Sequence, residues 1–357
     1  MSAAEKYALI TGGAGFIGTN LADRLLTSGK RVLVYDNLSR LGVEKNLAGL
    51  REKHGPRLLI DIADVRDPFS LKKAVQGAGS VFHLAAQVAV TTSIIDPVSD
   101  FEVNARGTLN LLEALRSMRT PPPLVFTSTN KTYGELRDII IRSNTTRYML
   151  DDPKLSEFGI GEDRSIDLHS PYGCSKGAAD QYVLDYARTF GIKAAVFRMS
   201  CIYGPHQFGT EDQGWVAHFL ISAIEGKPIT IYGDGMQVRD VLFVDDLVEA
   251  FLQAVRNIDS LSGEAFNIGG GPQNTTSLLE LLNIIENLHT ERPSLRFDHW
   301  RAGDQRYYVS DIRKFKALTG WTQRVGFEEG VRILYEWLLE TRGTSRPRLT
   351  AVGKGSL

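Results

Sequence analysis

Residues 7–18 read Tyr-Ala-Leu-Ile-Thr-Gly-Gly-Ala-Gly-Phe-Ile-Gly, and this stretch decides the fold. Tyr7–Ile10 is a short apolar run that predicts a buried strand, and Phe16–Thr27 carries the spacing of a helix. Between them Gly12, Gly15 and Gly18 stand at GxxGxxG spacing, with Phe16 and Ile17 opening the helix. A turn without side chains lets the backbone approach a pyrophosphate closely. The free N–H groups and the dipole of the helix start favour anionic oxygen there. Further out, apolar runs recur at Arg31–Tyr35, Leu58–Ile60, Ser80–Leu84, Leu124–Ser128 and Ala194–Arg198. Helical spacing separates them at Pro68–Val75, Val98–Ser117 and Tyr172–Phe190. That alternation predicts an α/β fold, a doubly wound parallel sheet covered by helices on both faces.

The bulk properties narrow the partners. The chain has 357 residues, 43% hydrophobic and 23% charged, with a formal net charge of −1. A nucleic-acid or membrane-surface binder would usually show a basic excess, so neither partner is expected. No apolar run reaches the roughly 18 residues needed to span a bilayer. Cys174 and Cys201 are the only cysteines. They form no disulfide framework and no metal-ligand spacing, so no metal is expected. With no secretory leader evident, a cytoplasmic protein is expected. Past residue 200, glycine-rich turns such as Gly233–Gly235 and Gly269–Gly271 separate shorter elements. The expected division is a dinucleotide-binding part over 1–200 with a polar insertion at 135–170. A smaller lobe follows over 201–343 with segments returning to the first part, then a mobile tail at 344–357. A connection as long as the insertion is often functional.

Asp36 follows the second strand about 20 residues after the glycines, where a carboxylate can accept the ribose hydroxyls of an adenosine. It would repel a 2′-phosphate and so favours NAD over NADP, while Arg40 is close enough to work against that choice. Asn37 and Ser39 lie in the same turn and are placed at the same site. Asp64 and Val65 after the third strand are candidates for the adenine edge. Leu84, Ala85 and Ala86 close the fourth strand with small residues that fit against a cofactor, and His83 is read as structural. Tyr172-Gly-Cys-Ser-Lys176 places a tyrosine and a lysine one helical turn apart on one face. Tyr172 is the candidate general base. A free tyrosine titrates near pH 10, and the Lys176 ammonium is expected to lower that value and to hold ribose hydroxyls. Neither cysteine reads as a nucleophile; Cys174 is expected to be buried packing.

With these motifs in order, the chain resembles the extended short-chain dehydrogenase/reductase family of nucleotide-sugar epimerases and dehydratases, over roughly residues 6–340. Within it the chain most resembles the CDP-paratose (CDP-tyvelose) 2-epimerases. Ser128–Gly134, Asp167–Gln181, Asp212–Trp215 and the insertion before Tyr172 carry that narrower likeness. The resemblance implies a Rossmann-type sheet with a C-terminal substrate-binding lobe, bound NAD, a nucleotide-sugar substrate and a homo-oligomer paired through two long helices. It makes Thr129 the catalytic hydroxyl on the reacting oxygen. Dehydratases of this family carry an Asp-Glu pair directly after that threonine; here Asn130 and Lys131 stand there, which disfavours dehydration and suggests contacts to sugar hydroxyls. Arg239 and Arg301 match diphosphate contacts, and Asp304 a ribose contact or a partner for an arginine. His206, Gln207, Asp212, Gln213 and Trp215 fall in a loop that lines the sugar pocket, with Trp215 equally readable as a core anchor. Two departures are Cys201, where many relatives have asparagine, and Phe243, where they often have histidine. The resemblance thus implies 2-epimerisation through a transient ketone. A 4-epimerase of the UDP-glucose type, a 4,6-dehydratase, a net oxidoreductase and a silent NAD-binding scaffold are the alternatives.

Overall fold

The computed structural model describes residues 6–289, 293–301 and 303–343; the expected tail at 344–357 lies outside them. Seven parallel strands form the central sheet. In chain order they are β1 (Tyr7–Thr11), β2 (Val32–Asp36), β3 (Leu58–Ile62), β4 (Ala78–His83), β5 (Leu124–Thr129), Ala194–Met199 and Glu264–Ile268. Spatially β3-β2-β1-β4-β5 continue into Ala194–Met199 and then Glu264–Ile268. The six strands anticipated from the sequence are all present, and Phe16–Thr27 and Pro68–Val75 are helices with those bounds. Sequence reading missed the helix Val43–His54 and the seventh strand, which returns from the C-terminal half to pair with Ala194–Met199. Near-continuous apolar strands suit this sheet because helices bury both faces. Leu9, Ile10, Val81, Phe82, Val125, Phe126 and Val196 have essentially no exposed surface.

The stretch Val98–Ser117 is not one helix. Pro97 opens the short helix Pro97–Phe101, with the Asp96 side chain capping it by accepting from Ser99 N at 2.9 Å. One π turn follows at Glu102–Arg106, and Gly107–Arg116 resumes the α form. A widened turn of this kind costs regular hydrogen bonding and recurs at functional sites. Here Asn104, inside the π turn, is tied to Gln87 and Ser175 on two other elements. The insertion folds as a hairpin, Ile141–Ser143 with Tyr148–Leu150, and the helix Pro153–Phe158. Elements of the second half form two smaller sheets, one joining Cys201–Tyr203, Val238–Phe243, Thr275–Ser277 and Tyr307–Tyr308. They stand over the C-terminal edge of the main sheet and close one side of a cleft. Among the described residues no helix is long and apolar enough to cross a membrane.

His83 is structural, as expected. Its Nδ1 lies 2.6 Å from Thr11 Oγ1 and its Nε2 3.0 Å from Thr108 Oγ1. The Thr108 hydroxyl donates its hydrogen to Asn104 O at 2.6 Å, so it accepts from His83 Nε2–H, and Nδ1 accepts from Thr11. Full burial, with the Lys176 charge adding to it, lowers the imidazole pKa to about 3 from 6.5. Between those values the unfolded chain binds a proton that the folded protein refuses, so stability falls as the pH falls through this window. From about pH 7.5 to about pH 5, urea denaturation should show the wild type losing about 2 kcal/mol more stability than His83→Gln. Equal losses would contradict this neutral, doubly bonded histidine.

Candidate active site

The C-terminal ends of β1, β2, β4, β5 and Ala194–Met199 open into one cleft of about 990 Å³. The glycine turn forms its floor. Gly12 adopts φ +69, and a Cβ there would lie 2.7 Å from Ala85 N. A Cβ on Gly18 would lie 2.3 Å from Gly12 O, so helix and turn touch only because both residues are glycine. A Cβ on Gly15 would meet only Gly12 O, at 3.2 Å, and would otherwise occupy cleft space beside the helix start. This cradle fits a dinucleotide pyrophosphate.

Asp36 accepts from Ala14 N at 3.0 Å and from Leu38 N at 2.8 Å, the latter holding Leu38 at φ +54. Gly15 N–H also acts on this carboxylate, and the lone-pair directions left over face the cleft, where ribose hydroxyls can donate. Burial raises its pKa, and the backbone N–H groups oppose that shift. Asp64 lines the cleft, but its carboxylate is already engaged. Arg66 donates from Nε at 3.0 Å and Nη2 at 2.8 Å, and Asn37 Nδ2 donates at 2.8 Å. The Arg66 hydrogen bond holds its pKa down at about 2. Arg66 was missed in the sequence; its i+2 position beside Asp64 was the available signal. Ser39, Val65, Leu84, Ala85, Ala86, Phe16 and Ile17 all line the cleft. Arg40 does so too and donates to Gln213 Oε1, joining two residues expected to serve different ligands.

The helix Ser170–Phe190 carries Tyr172 and Lys176 against β5, both buried. Ser93 Oγ accepts from Tyr172 N at 3.1 Å and pins the first turn. The Thr129 hydroxyl acts on the Tyr172 phenol and favours its ionised form, and both residues line the cleft. Burial pushes the phenol up to about 12; the Thr129 hydroxyl pulls it down, the Asp100 carboxylate pushes it up and the Arg40 charge pulls it down. Lys176 Nζ donates to Thr127 O at 2.5 Å and lies 4.4 Å over the Phe126 ring. Burial lowers the lysine to about 7, with Asp180 and Asp100 opposing. The lysine is thus directed at the strand, where it is held by a carbonyl and a ring face.

Across the cleft, Asn130 Nδ2 donates to Gln305 Oε1 at 3.3 Å, and Lys131 Nζ donates to Gly303 O at 3.0 Å. Asp304 lies 2.7 Å from Arg239 Nη2 and 3.8 Å from Lys131 Nζ. Burial lowers the Lys131 pKa and the Asp304 charge opposes it. Arg301 lies 3.8 Å over the Tyr232 ring and donates to Glu211 O at 3.0 Å. Cys201 accepts from Trp215 Nε1 at 3.5 Å, and burial raises its thiol pKa. Trp215 both lines the cleft and packs edge-on to Phe219. Gln207 has a buried Oε1 with no protein partner, while its Nε2 donates to Ile202 O at 3.2 Å.

Two expectations fail. His206 is not on the cleft wall: its ring packs 5.2 Å from Trp337 and its Nδ1 faces Asn46 Oδ1 at 3.3 Å. At φ +69 the backbone turns this side chain towards the helix Val43–His54, which sequence reading had not found. Cys174 is exposed, because its place on the helix faces away from β5. Residues missed on the cleft wall include Gln87–Thr92 and Gln237, which no motif marked.

Residues 8–269 match the model of the NAD dependent epimerase/dehydratase family. The chain is 44% identical over 339 residues to a CDP-paratose 2-epimerase of Salmonella typhi, covering 92% of this chain and 98% of that one. It is 30% identical to a dTDP-glucose 4,6-dehydratase of Neisseria meningitidis serogroup B, over 94% of this chain and 93% of that one. A Thermus thermophilus UDP-glucose 4-epimerase solved with NAD superposes with a TM-score of 0.78 at 32% identity, covering 95% of this chain and 100% of the other. Because the atoms that a Gly18 Cβ would strike are backbone, Gly18→Ala should weaken NAD binding at least about tenfold in a fluorescence titration. Far-ultraviolet circular dichroism should stay unchanged, and wild-type affinity in this variant would refute the cradle.

Proposed function

Because the chain belongs to the NAD-dependent epimerase/dehydratase family, we infer that it inverts a nucleotide-linked sugar at C2, as in CDP-paratose to CDP-tyvelose, through a transient 2-keto sugar. The observation that carries the reading is the pair Asn130–Lys131 directly after Thr129. Water elimination requires a carboxyl acid and base at the reacting sugar, and these two positions supply neither. The likeness to the Salmonella typhi protein supports the same choice and the cytidine nucleotide.

A carbon without a neighbouring carbonyl holds its hydrogen too firmly for simple deprotonation. Bound NAD supplies the oxidation and the matching reduction, and the protein orients the partners. Tyr172 takes the proton of the reacting hydroxyl and later returns it, while Thr129 hydrogen-bonds the same oxygen. Arg239 and Arg301 hold the diphosphate as a fixed pivot, and the cleft leaves the ketone room to turn its other face. In this reading Asp304, poised between Arg239 and Lys131, organises both cations, and Asn130 and Lys131 bond sugar hydroxyls. Residues 1–200 serve the cofactor and most of 201–343 the substrate. We further propose a cytoplasmic homo-oligomer. Ile95 and Val98, on the short helices Val90–Ile95 and Pro97–Phe101, are 84% and 71% exposed, and Tyr182 and Phe190 further along the tyrosine helix are also exposed.

A 4-epimerase is the second reading, supported by the superposition on UDP-glucose 4-epimerases. Proton NMR in D2O separates the two with CDP-paratose, CDP-glucose and UDP-glucose and no added cofactor. Inversion at C2 without deuterium uptake is expected. Inversion at C4 would favour the second reading, and a C4 ketone lacking the C6 hydroxyl would overturn the argument from Asn130 and Lys131. Asn130→Ala and Lys131→Ala should each raise KM or lower kcat by about tenfold, as loss of a hydrogen bond to bound substrate predicts. Kinetics unchanged in both variants would remove these residues from the sugar site.

A further inference from the structure

Asp100 is a buried ionisable group beside the reaction centre that the mechanism leaves without a role. It lies in the helix Pro97–Phe101, just before the π turn, and has no exposed surface. Its carboxylate accepts from Ser175 Oγ at 2.5 Å, from Gln87 Nε2 at 2.8 Å and from Asn104 Nδ2 at 3.2 Å. Ser175 directly precedes Lys176, and Gln87 belongs to the loop that walls the cleft. Asn104 closes the network by donating to Gln87 O at 3.0 Å and to Ser175 Oγ at 3.0 Å. All the donors in contact with the carboxylate are neutral. A dry carboxylate with neutral partners alone is costly to keep ionised, and the cation that favours its charge is Lys176.

Resting on the reading of Tyr172 as the proton carrier, we propose that Asp100 is a positioning residue, a fixed buried charge that counterbalances Lys176 and opposes the phenolate of Tyr172. Epimerisation uses one proton twice, outward during oxidation and back during reduction. A tyrosine that serves both directions works best when neither its phenol nor its phenolate is strongly favoured. Arg40 and a bound nicotinamide are cations that favour the phenolate, whereas burial and the Asp100 carboxylate favour the phenol, which must be able to hold the proton that it returns. The other groups facing this pair are accounted for. Asp180 on the same helix is paired with Arg198 at 2.9 Å, His83 from β4 is neutral, and Thr129 from β5 offers a hydroxyl. Asp100 is the remaining carboxylate that acts on both Tyr172 and Lys176.

The test titrates Tyr172 in the NAD-loaded protein without sugar nucleotide, as the tyrosinate absorbance that disappears in Tyr172→Phe. Asp100→Asn should lower the ionisation midpoint by about half a pH unit or more. Both limbs of the kcat/KM profile should move the same way, because Lys176 also loses a charge that favours its ammonium. Asp100→Leu, likewise uncharged, should behave as Asp100→Asn does. Ser175→Ala keeps the charge while removing its shortest hydrogen bond, and its midpoint should stay at the wild-type value. An unshifted midpoint in the uncharged variants, or an equal shift in Ser175→Ala, would overturn the proposal and leave Asp100 a tether. The titration does not depend on the substrate. The proton-carrier reading fails separately, if Tyr172→Phe turns over the sugar nucleotide at the wild-type rate.

Discussion

The burial of one ammonium organises much of this structure. Lys176 keeps 3% of its surface exposed, in the middle of a helix pressed against the central sheet. A charge so placed is tolerated only with compensation. Thr127 O and the Phe126 ring supply it from the strand, and Asp180 and Asp100 from the helical layer. Asp180 in turn must be satisfied, and it is, by two bonds from Arg198 at 2.9 and 3.0 Å. Arg198 also donates to Tyr133 OH at 3.1 Å, and Tyr133 OH donates to Asn267 Oδ1 at 2.8 Å. Asn267 Nδ2 donates to Ile160 O at 2.8 Å, which fastens the insertion to the seventh strand. A chain of buried polar groups therefore runs from the lysine to the segment that precedes its own helix. Breaking any link would strand a charge or a donor in a dry place.

The same logic shapes the cleft. Its cofactor side is built from backbone, because glycine turns and strand ends put N–H groups where side chains would intrude. Its opposite side is built from side chains that neutralise one another. Asp304 spans Arg239 and Lys131, Arg301 rests on Tyr232, and Gln305 ties Asn130 to Gly134 O. These contacts join residues more than sixty positions apart, and Asp304 and Gln305 reach back to Lys131, Asn130 and Gly134, so the substrate side exists only once the second half has folded over the sheet edge.

Much of this was legible beforehand where the physics is local. A strand, a glycine turn and a helix follow from spacing within a dozen residues, and Tyr172 and Lys176 share a face by helical geometry alone. Reading failed where a distant partner decides. Nothing within Val98–Ser117 announces the π turn, since its cause is the network through Gln87 and Ser175. His206 shares its loop with residues that do line the cleft, yet a positive φ and Asn46 turn it away.

The sequence by itself determined the sheet, the dinucleotide cradle, the tyrosine and lysine, and the lack of carboxyls after Thr129, because each depends on residue type and short-range spacing. The tertiary structure alone decided the charge balance around Tyr172, the seventh strand and the cross-cleft pairs. Burial and Coulomb interactions act through space, between groups that the chain order keeps far apart.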